Sequence, residues 1–272
     1  MRNYEGFENK VALVTGGAVG IGKAICLDFA KQGAKIVIAD LNLEAAQKTV
    51  AELEASGTEA FAVQMDVSNE AAVEAGFQKA IEKFGTIDIL VNNAAFGGKD
   101  LAIPHLFAKP LTDWEPVFKI GLFGIVYCVK QVYDIFKKRG SGKIINISSI
   151  SARMQTVTIP EYASMKAAVI QYTKAIARDM APYGINVNAI CPGFLWTDMW
   201  EQQGILVSEK FPPESRPTPR QVFDDMIHKL VPMKTEQKVE DIAYLASFLC
   251  SERALQITGQ AINVDGGTVM LN

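Results

Sequence analysis

Tyr162 and Lys166 stand four residues apart in a segment of helical periodicity, Tyr162 to Met180, so a single helix face carries both. A phenol can give a proton to an oxygen atom or take one from it, but its ordinary pKa of about 10 leaves it protonated at neutral pH. An ammonium beside it favours the phenolate and brings the group into use as acid or base. The pair suits a reaction in which charge develops on a substrate oxygen, as when a carbonyl becomes an alcohol. The same spacing occurs at Tyr133 and Lys137 on another predicted helix, so spacing alone does not choose between the two places. Ser148, Ser149 and Ser151, at the end of a predicted strand, are candidates to bond such an oxygen.

A second group suits a phosphate. Thr15-Gly16-Gly17-Ala18-Val19-Gly20-Ile21-Gly22 follows a Val-rich run and opens a helix. Glycines there permit a tight turn and close backbone approach, while the helix N-terminus offers N–H donors and a favourable dipole. The spacing of Gly16, Gly20 and Gly22 departs from the common G-x-G-x-x-G fingerprint. Asp40 ends the next predicted strand, twenty residues after Gly20. A carboxylate in that place accepts from a ribose 2′-hydroxyl and repels a 2′-phosphate, which favours NAD over NADP. Its other use would be to cap the helix starting near Leu43.

These side chains need a frame. Strands are predicted over 11–15, 35–40, 60–66, 87–92, 143–148, 185–190 and 260–264, and helices over 45–55, 70–84, 112–138, 162–180 and 239–249. Such alternation implies a parallel sheet wrapped in helices. An eight-stranded barrel has a similar length, but the glycine turn after the first strand favours an α/β fold with a Rossmann-type doubly wound parallel sheet of seven strands and helices on both faces. One domain is expected over 1–272. Within it, Pro212, Pro213, Pro217, Pro219 and Pro232 crowd the stretch from Phe194 to Lys234, along with Trp196, Met199, Trp200, Phe211 and Phe223. This long apolar, Pro-rich excursion reads as a lid over an apolar pocket. Arg153, Lys210, Arg216 and Arg220 are the cations that could hold an anionic substrate tail instead.

Composition excludes several classes. Lys plus Arg number 27 against 30 Asp plus Glu, a formal charge of -3, so no basic field is available for nucleic acid. Cys26, Cys128, Cys191 and Cys250 are far apart in sequence and form no C-x-x-C pair, and neither His105 nor His228 has a metal-ligand companion, so no metal is expected. No membrane span is visible, and Met1 to Asn9 lacks the apolar run of a secretory signal, so a cytoplasmic protein is expected.

Taken in order, the glycine turn, Asp66-Val67, Asn92-Asn93-Ala94, Ser149, Tyr162-Ala163-Ser164-Met165-Lys166, Pro192-Gly193-Phe194-Leu195-Trp196-Thr197 and Asp265-Gly266-Gly267 resemble the short-chain dehydrogenase/reductase family from Lys10 to Gly267. The resemblance implies an NAD-dependent oxidoreductase interconverting a secondary alcohol and a ketone, with Ser149, Tyr162 and Lys166 as catalytic residues. The family's serine lies thirteen residues before its tyrosine, as Ser149 does before Tyr162, whereas Ile120 precedes Tyr133 by that interval. It also implies cofactor contacts from Gly16, Gly20, Ile21, Gly22, Asp40, Asp66, Val67, Asn93, Tyr162, Lys166, Leu195 and Thr197: Asp66 and Val67 at the adenine, Asn93 along its ribose, Leu195 and Thr197 at the nicotinamide amide. A homotetramer is the implied assembly. Two departures stand out: Ala95 where the family has glycine, and Gly121 where it has a fourth catalytic residue, an asparagine. Gly121 leaves room for a water or a neighbouring side chain, and it keeps open the alternative of an inactive cofactor-binding subunit that supports a related active chain.

Overall fold

The computed structural model describes residues 6–98, 107, 109–156 and 158–270, with the side chains of Asp198 and Met199 also left aside; His105 and the Met199 side chain therefore lie outside the described residues. Runs of Val, Ile and Ala form β1 (Val11–Thr15), β2 (Lys35–Asp40), β3 (Ala60–Gln64), β4 (Ile89–Asn92), β5 (Gly142–Ile147), β6 (Ile185–Pro192) and β7 (Ala261–Val264). Burial along β1, β4 and β6 is continuous rather than alternating, because helices cover both sheet faces. All pairings are parallel, in the order β3-β2-β1-β4-β5-β6-β7. This is the Rossmann-type doubly wound arrangement. The order reverses between β1 and β4, where Thr15 lies opposite Asn92, and a crevice opens beyond the strands' carboxyl ends.

On one face lie α1 (Gly20–Lys31), α2 (Leu43–Ala55) and α9 (Val239–Cys250), around a core that includes Phe29, Ile36, Leu53 and Leu249. On the other lie α3 (Glu70–Phe84), α5 (Gly124–Arg139) and α6 (Pro160–Met180), around Phe77, Phe136, Met165 and Val187. The helix expected over 112–138 is interrupted. It divides into α4 (Leu111–Phe118), a π-helical turn (Lys119–Phe123) and α5. Gly121 and Gly124 bring this wide turn close to Met165 and Val67 respectively, and packing of that closeness overrides a regular helix.

The Pro-rich stretch contains two helices, α7 (Asp198–Ser208) and α8 (Pro219–Leu230). Its prolines start helices as well as interrupt them: Pro219 opens α8 directly after Thr218, whose side chain and that of Gln221 form a reciprocal cap. A β-carbon on Gly204 would lie 2.8 Å from Pro219, so α7 and α8 cross in close contact. Phe194, Trp196 and Trp200 meet Phe223 or one another with ring centroids 5.2–5.5 Å apart, building a third apolar cluster over the sheet's carboxyl edge. Among the described residues no helix is long and apolar enough to cross a membrane, and all four cysteines are buried free thiols.

Candidate active site

The turn after β1 needs its glycines. Gly16 and Gly20 have φ of +62° and +57°, and a β-carbon on Gly22 would overlap the Gly16 carbonyl oxygen. Asn93, at the end of β4, holds this turn: its Nδ2 donates to the carbonyls of Thr15 and Gly16 at 3.1 and 2.9 Å. α2 and α3 are capped by Asn42 and Asn69, but α1 has no side-chain cap and no acid in its first turn. Its amides are left for an anionic ligand. Space is available too, since a β-carbon on Gly20 would meet nothing within 4 Å.

Asp40 does not cap α2. Its Oδ2 accepts from Ala18 N at 3.1 Å and its Oδ1 from Asn42 N at 3.0 Å, tying the end of β2 to the glycine turn. Each oxygen keeps a second lone pair for a hydroxyl. Asp66 accepts from Ser68 N in the turn before α3, and Val67 beside it is buried against Gly124.

Downstream of the glycine turn is a cavity of about 450 Å³. Ile21, Asn93, Ser149, Tyr162, Lys166, Leu195 and Thr197 all line it, so the structure brings together residues from five separate segments. Ser149 precedes a short 3-10 turn, and its Oγ accepts from Ser151 N at 3.1 Å. The Ser148 hydroxyl is committed elsewhere, donating to the Lys166 carbonyl. Lys166 is buried; its ammonium donates to the Ile147 carbonyl at 2.7 Å and lies 5.5 Å from the Tyr162 ring centre. Burial pulls that ammonium down to about 8. The Tyr162 phenol is pushed up to about 12 by burial, with the Ser149 hydroxyl beside it offsetting part of the rise. The group therefore arrives at neutral pH as a protonated phenol beside a cation of weakened basicity. Tyr133 and Lys137 lie outside the cavity, where the exposed Lys137 ammonium sits over the Tyr133 and Tyr183 rings at 5.5 and 4.7 Å.

A dinucleotide fits the residues present. The Thr197 hydroxyl is buried without a hydrogen-bond partner at the cavity wall, an acceptor and donor waiting for an amide-like group. Together with the uncapped α1, the open space at Gly20 and the lone pairs of Asp40, it forms one line from β2 to the cavity.

Two of the cations considered for an anionic tail are otherwise engaged. Arg153 donates to the Asn263 side chain and the Ala261 carbonyl, and Arg220 pairs with Asp224 and Glu236 while packing over Trp196 and Phe223. Lys210 and Arg216 are exposed. Three supporting residues were not anticipated. Gln237 accepts from Phe194 N at 2.7 Å and clasps the turn after β6. Glu161, next to Tyr162, forms a fully buried 2.6 Å ion pair with Lys109. Gln203 of α7 lines the cavity. The partners of Gln237 and Glu161 lie far along the chain, and only the acid next to the tyrosine was a visible local signal.

The sequence profile of a family described as enoyl-(acyl carrier protein) reductase matches residues 16–269. A 3-oxoacyl-[acyl-carrier-protein] reductase of Synechocystis sp. is 37% identical over 263 residues, covering 96% of this chain and 97% of that protein. Among solved structures, an NAD+-bound xylitol dehydrogenase superposes with a TM-score of 0.88 at 32% identity, covering 97% of this chain and all of the other. A 7α-hydroxysteroid dehydrogenase complexed with NADH and 7-oxo glycochenodeoxycholic acid gives 0.84 at 34% identity, covering 99% and 98%.

Proposed function

Because the chain belongs to the short-chain dehydrogenase/reductase family of oxidoreductases, we propose that it interconverts a secondary alcohol and a ketone on an apolar, alicyclic or aromatic substrate, using NAD. One observation carries this reading: Ser149, Tyr162, Lys166 and the unpartnered Thr197 hydroxyl line one apolar-walled cavity. Gly16, Gly20, Ile21, Gly22, Asp40, Asp66, Val67, Asn93, Leu195 and Thr197 would hold the dinucleotide, with Asp40 selecting a free 2′-hydroxyl. When bound, the nicotinamide supplies the hydride chemistry.

The protein's own part is the proton. In the reducing direction Tyr162, holding its proton at neutral pH, gives it to the substrate oxygen. Ser149 donates to that oxygen and fixes its distance from the phenol. Lys166 places positive charge beside the phenolate that results, and its bond to Ile147 O keeps it there. Trp200, Phe223, Met226 and Leu230 give the far wall an apolar surface that excludes water. We read the chain as one catalytic domain with 194–234 as its substrate lid. Four free, buried thiols suit a cytoplasmic protein, and the family expectation alone supports a homotetramer.

The test is to mix purified protein with NADH or NADPH and a panel of alicyclic and aromatic ketones, small polyols and a 3-oxoacyl thioester, and follow nicotinamide absorbance. Turnover of the apolar ketones with NADH, abolished in Tyr162→Phe, is the expected result. Turnover of polyols alone, or equal efficiency with both cofactors, overturns the substrate or the cofactor assignment respectively.

A further inference from the structure

The cover helix α7 turns Trp200, Gln203, Gly204 and Val207 toward the cavity, the spacing of one helical face. Three of these suit an apolar wall; Gln203 does not. Its half-buried amide makes no hydrogen bond to any described residue. Several other polar side chains along the cavity are engaged, Asn93 with the glycine turn, Ser148 with the Lys166 carbonyl, and Thr156 with Thr158, while the unpartnered Thr197 hydroxyl is read above as part of the dinucleotide site. Lys166 is the one charged side chain lining the cavity among the described residues, so nothing at the far wall prepares it for an ionised group.

Resting on the reading of this cavity as a ketone-reducing site, we propose that Gln203 determines specificity by hydrogen bonding a second, neutral oxygen of the substrate, a hydroxyl or carbonyl remote from the reacting ketone. An amide both donates and accepts, so it recognises either group. A ketone whose remaining skeleton is hydrocarbon would displace water from Gln203 and leave the amide unpaired, whereas one bearing the second oxygen replaces that water. The substrate class is thus an oxygenated alicyclic ketone rather than a simple one.

The experiment compares a bicyclic monoketone with the diketone of the same ring skeleton. Binding is followed by tryptophan fluorescence, since Trp200 lines the cavity, and reduction is measured in parallel. The expected result is about tenfold or more preference for the diketone in both Kd and kcat/KM, expressed in KM. Gln203→Met should abolish or invert the preference by weakening the diketone and favouring the monoketone; Gln203→Leu serves if that variant does not fold. A merely structural role would weaken both ligands together and keep their ratio, which overturns the proposal, as does a wild-type protein that binds both ligands equally or neither. Preference in Kd that Gln203→Met removes, without reduction of either ketone, supports the role of Gln203 and overturns the ketone-reductase reading. Reduction of both ketones with equal efficiency does the reverse.

Discussion

Met165 fills the space in front of Gly121: a β-carbon on Gly121 would lie 2.5 Å from both the Sδ and the Cε of Met165, the residue directly before Lys166. Of the two occupants the sequence left open at this position, water and a neighbouring side chain, the structure has the side chain. Small and large residues are therefore matched across the π-helical turn and α6, and restoring the asparagine alone should be harmful. Gly121→Asn is expected to destabilise the fold by about 1–3 kcal/mol through overpacking. Gly121→Asn with Met165→Ala should recover much of that loss, as read by denaturant unfolding. A neutral single substitution would show that the contact does not matter. Its effect on rate should also be smaller than the loss in Tyr162→Phe.

For the proposed ketone reduction, Lys166 is expected to set an alkaline limit. Its lowered value near 8 means that the ammonium, and with it the stabilisation of phenolate after proton donation, is lost as pH rises through that value. The phenol itself, near 12, keeps its proton over this range. We expect kcat/KM for reduction to be level below about 8 and to fall above it. Lys166→Arg, slower throughout, should lose the fall because a guanidinium stays charged. A profile level to pH 10 would contradict this assignment.

The same lysine costs stability. A lowered pKa means that the unfolded chain binds the proton more tightly between about 8 and 10.5, so the penalty is complete below about 8 and fades as pH rises toward 10.5. Lys166→Met removes the penalty but leaves the Ile147 carbonyl without its donor. The balance should be a stabilisation on the order of 1–2 kcal/mol at pH 7, with turnover abolished. Calorimetry at pH 7 and pH 10 checks it: the gain should shrink at the higher pH.

Asp40 should control cofactor choice. Asp40→Ser relieves repulsion with a 2′-phosphate, so the ratio of kcat/KM for NADH over NADPH is expected to narrow at least tenfold. Because Asp40 also accepts from Ala18 N, some loss with NADH should accompany the change. An unaltered ratio would remove Asp40 from the selection.

Removing one partner of the Lys109–Glu161 pair strands a charge in a site from which water is excluded. Lys109→Met should destabilise by about 3–5 kcal/mol, whereas Lys109→Met with Glu161→Gln should cost less, because a neutral amide replaces the buried carboxylate. Thermal unfolding of the two variants decides it; equal losses would mean that the pair is not coupled.

The amino-acid sequence by itself determined what depends on local spacing. Runs of Val and Ile with glycines and asparagines at their ends define the strands, their turns and the parallel sheet, because backbone hydrogen bonding imposes fixed periods that side-chain patterns must match. The glycine turn, Asp40, and Tyr162 with Lys166 on one helix face were legible for that reason. Which of two Tyr–Lys pairs faces a cavity was decided by tertiary structure: the strand order sets Ser149 and Leu195 on the same cavity as Tyr162 and leaves Tyr133 outside it, half-buried against the core. The same holds for Arg153, taken up by Asn263 110 positions away, for Glu161, paired with Lys109 across 52, and for the π-helical turn against Met165. Each depends on the distance between elements remote in the chain, a quantity that packing fixes and that no local period encodes.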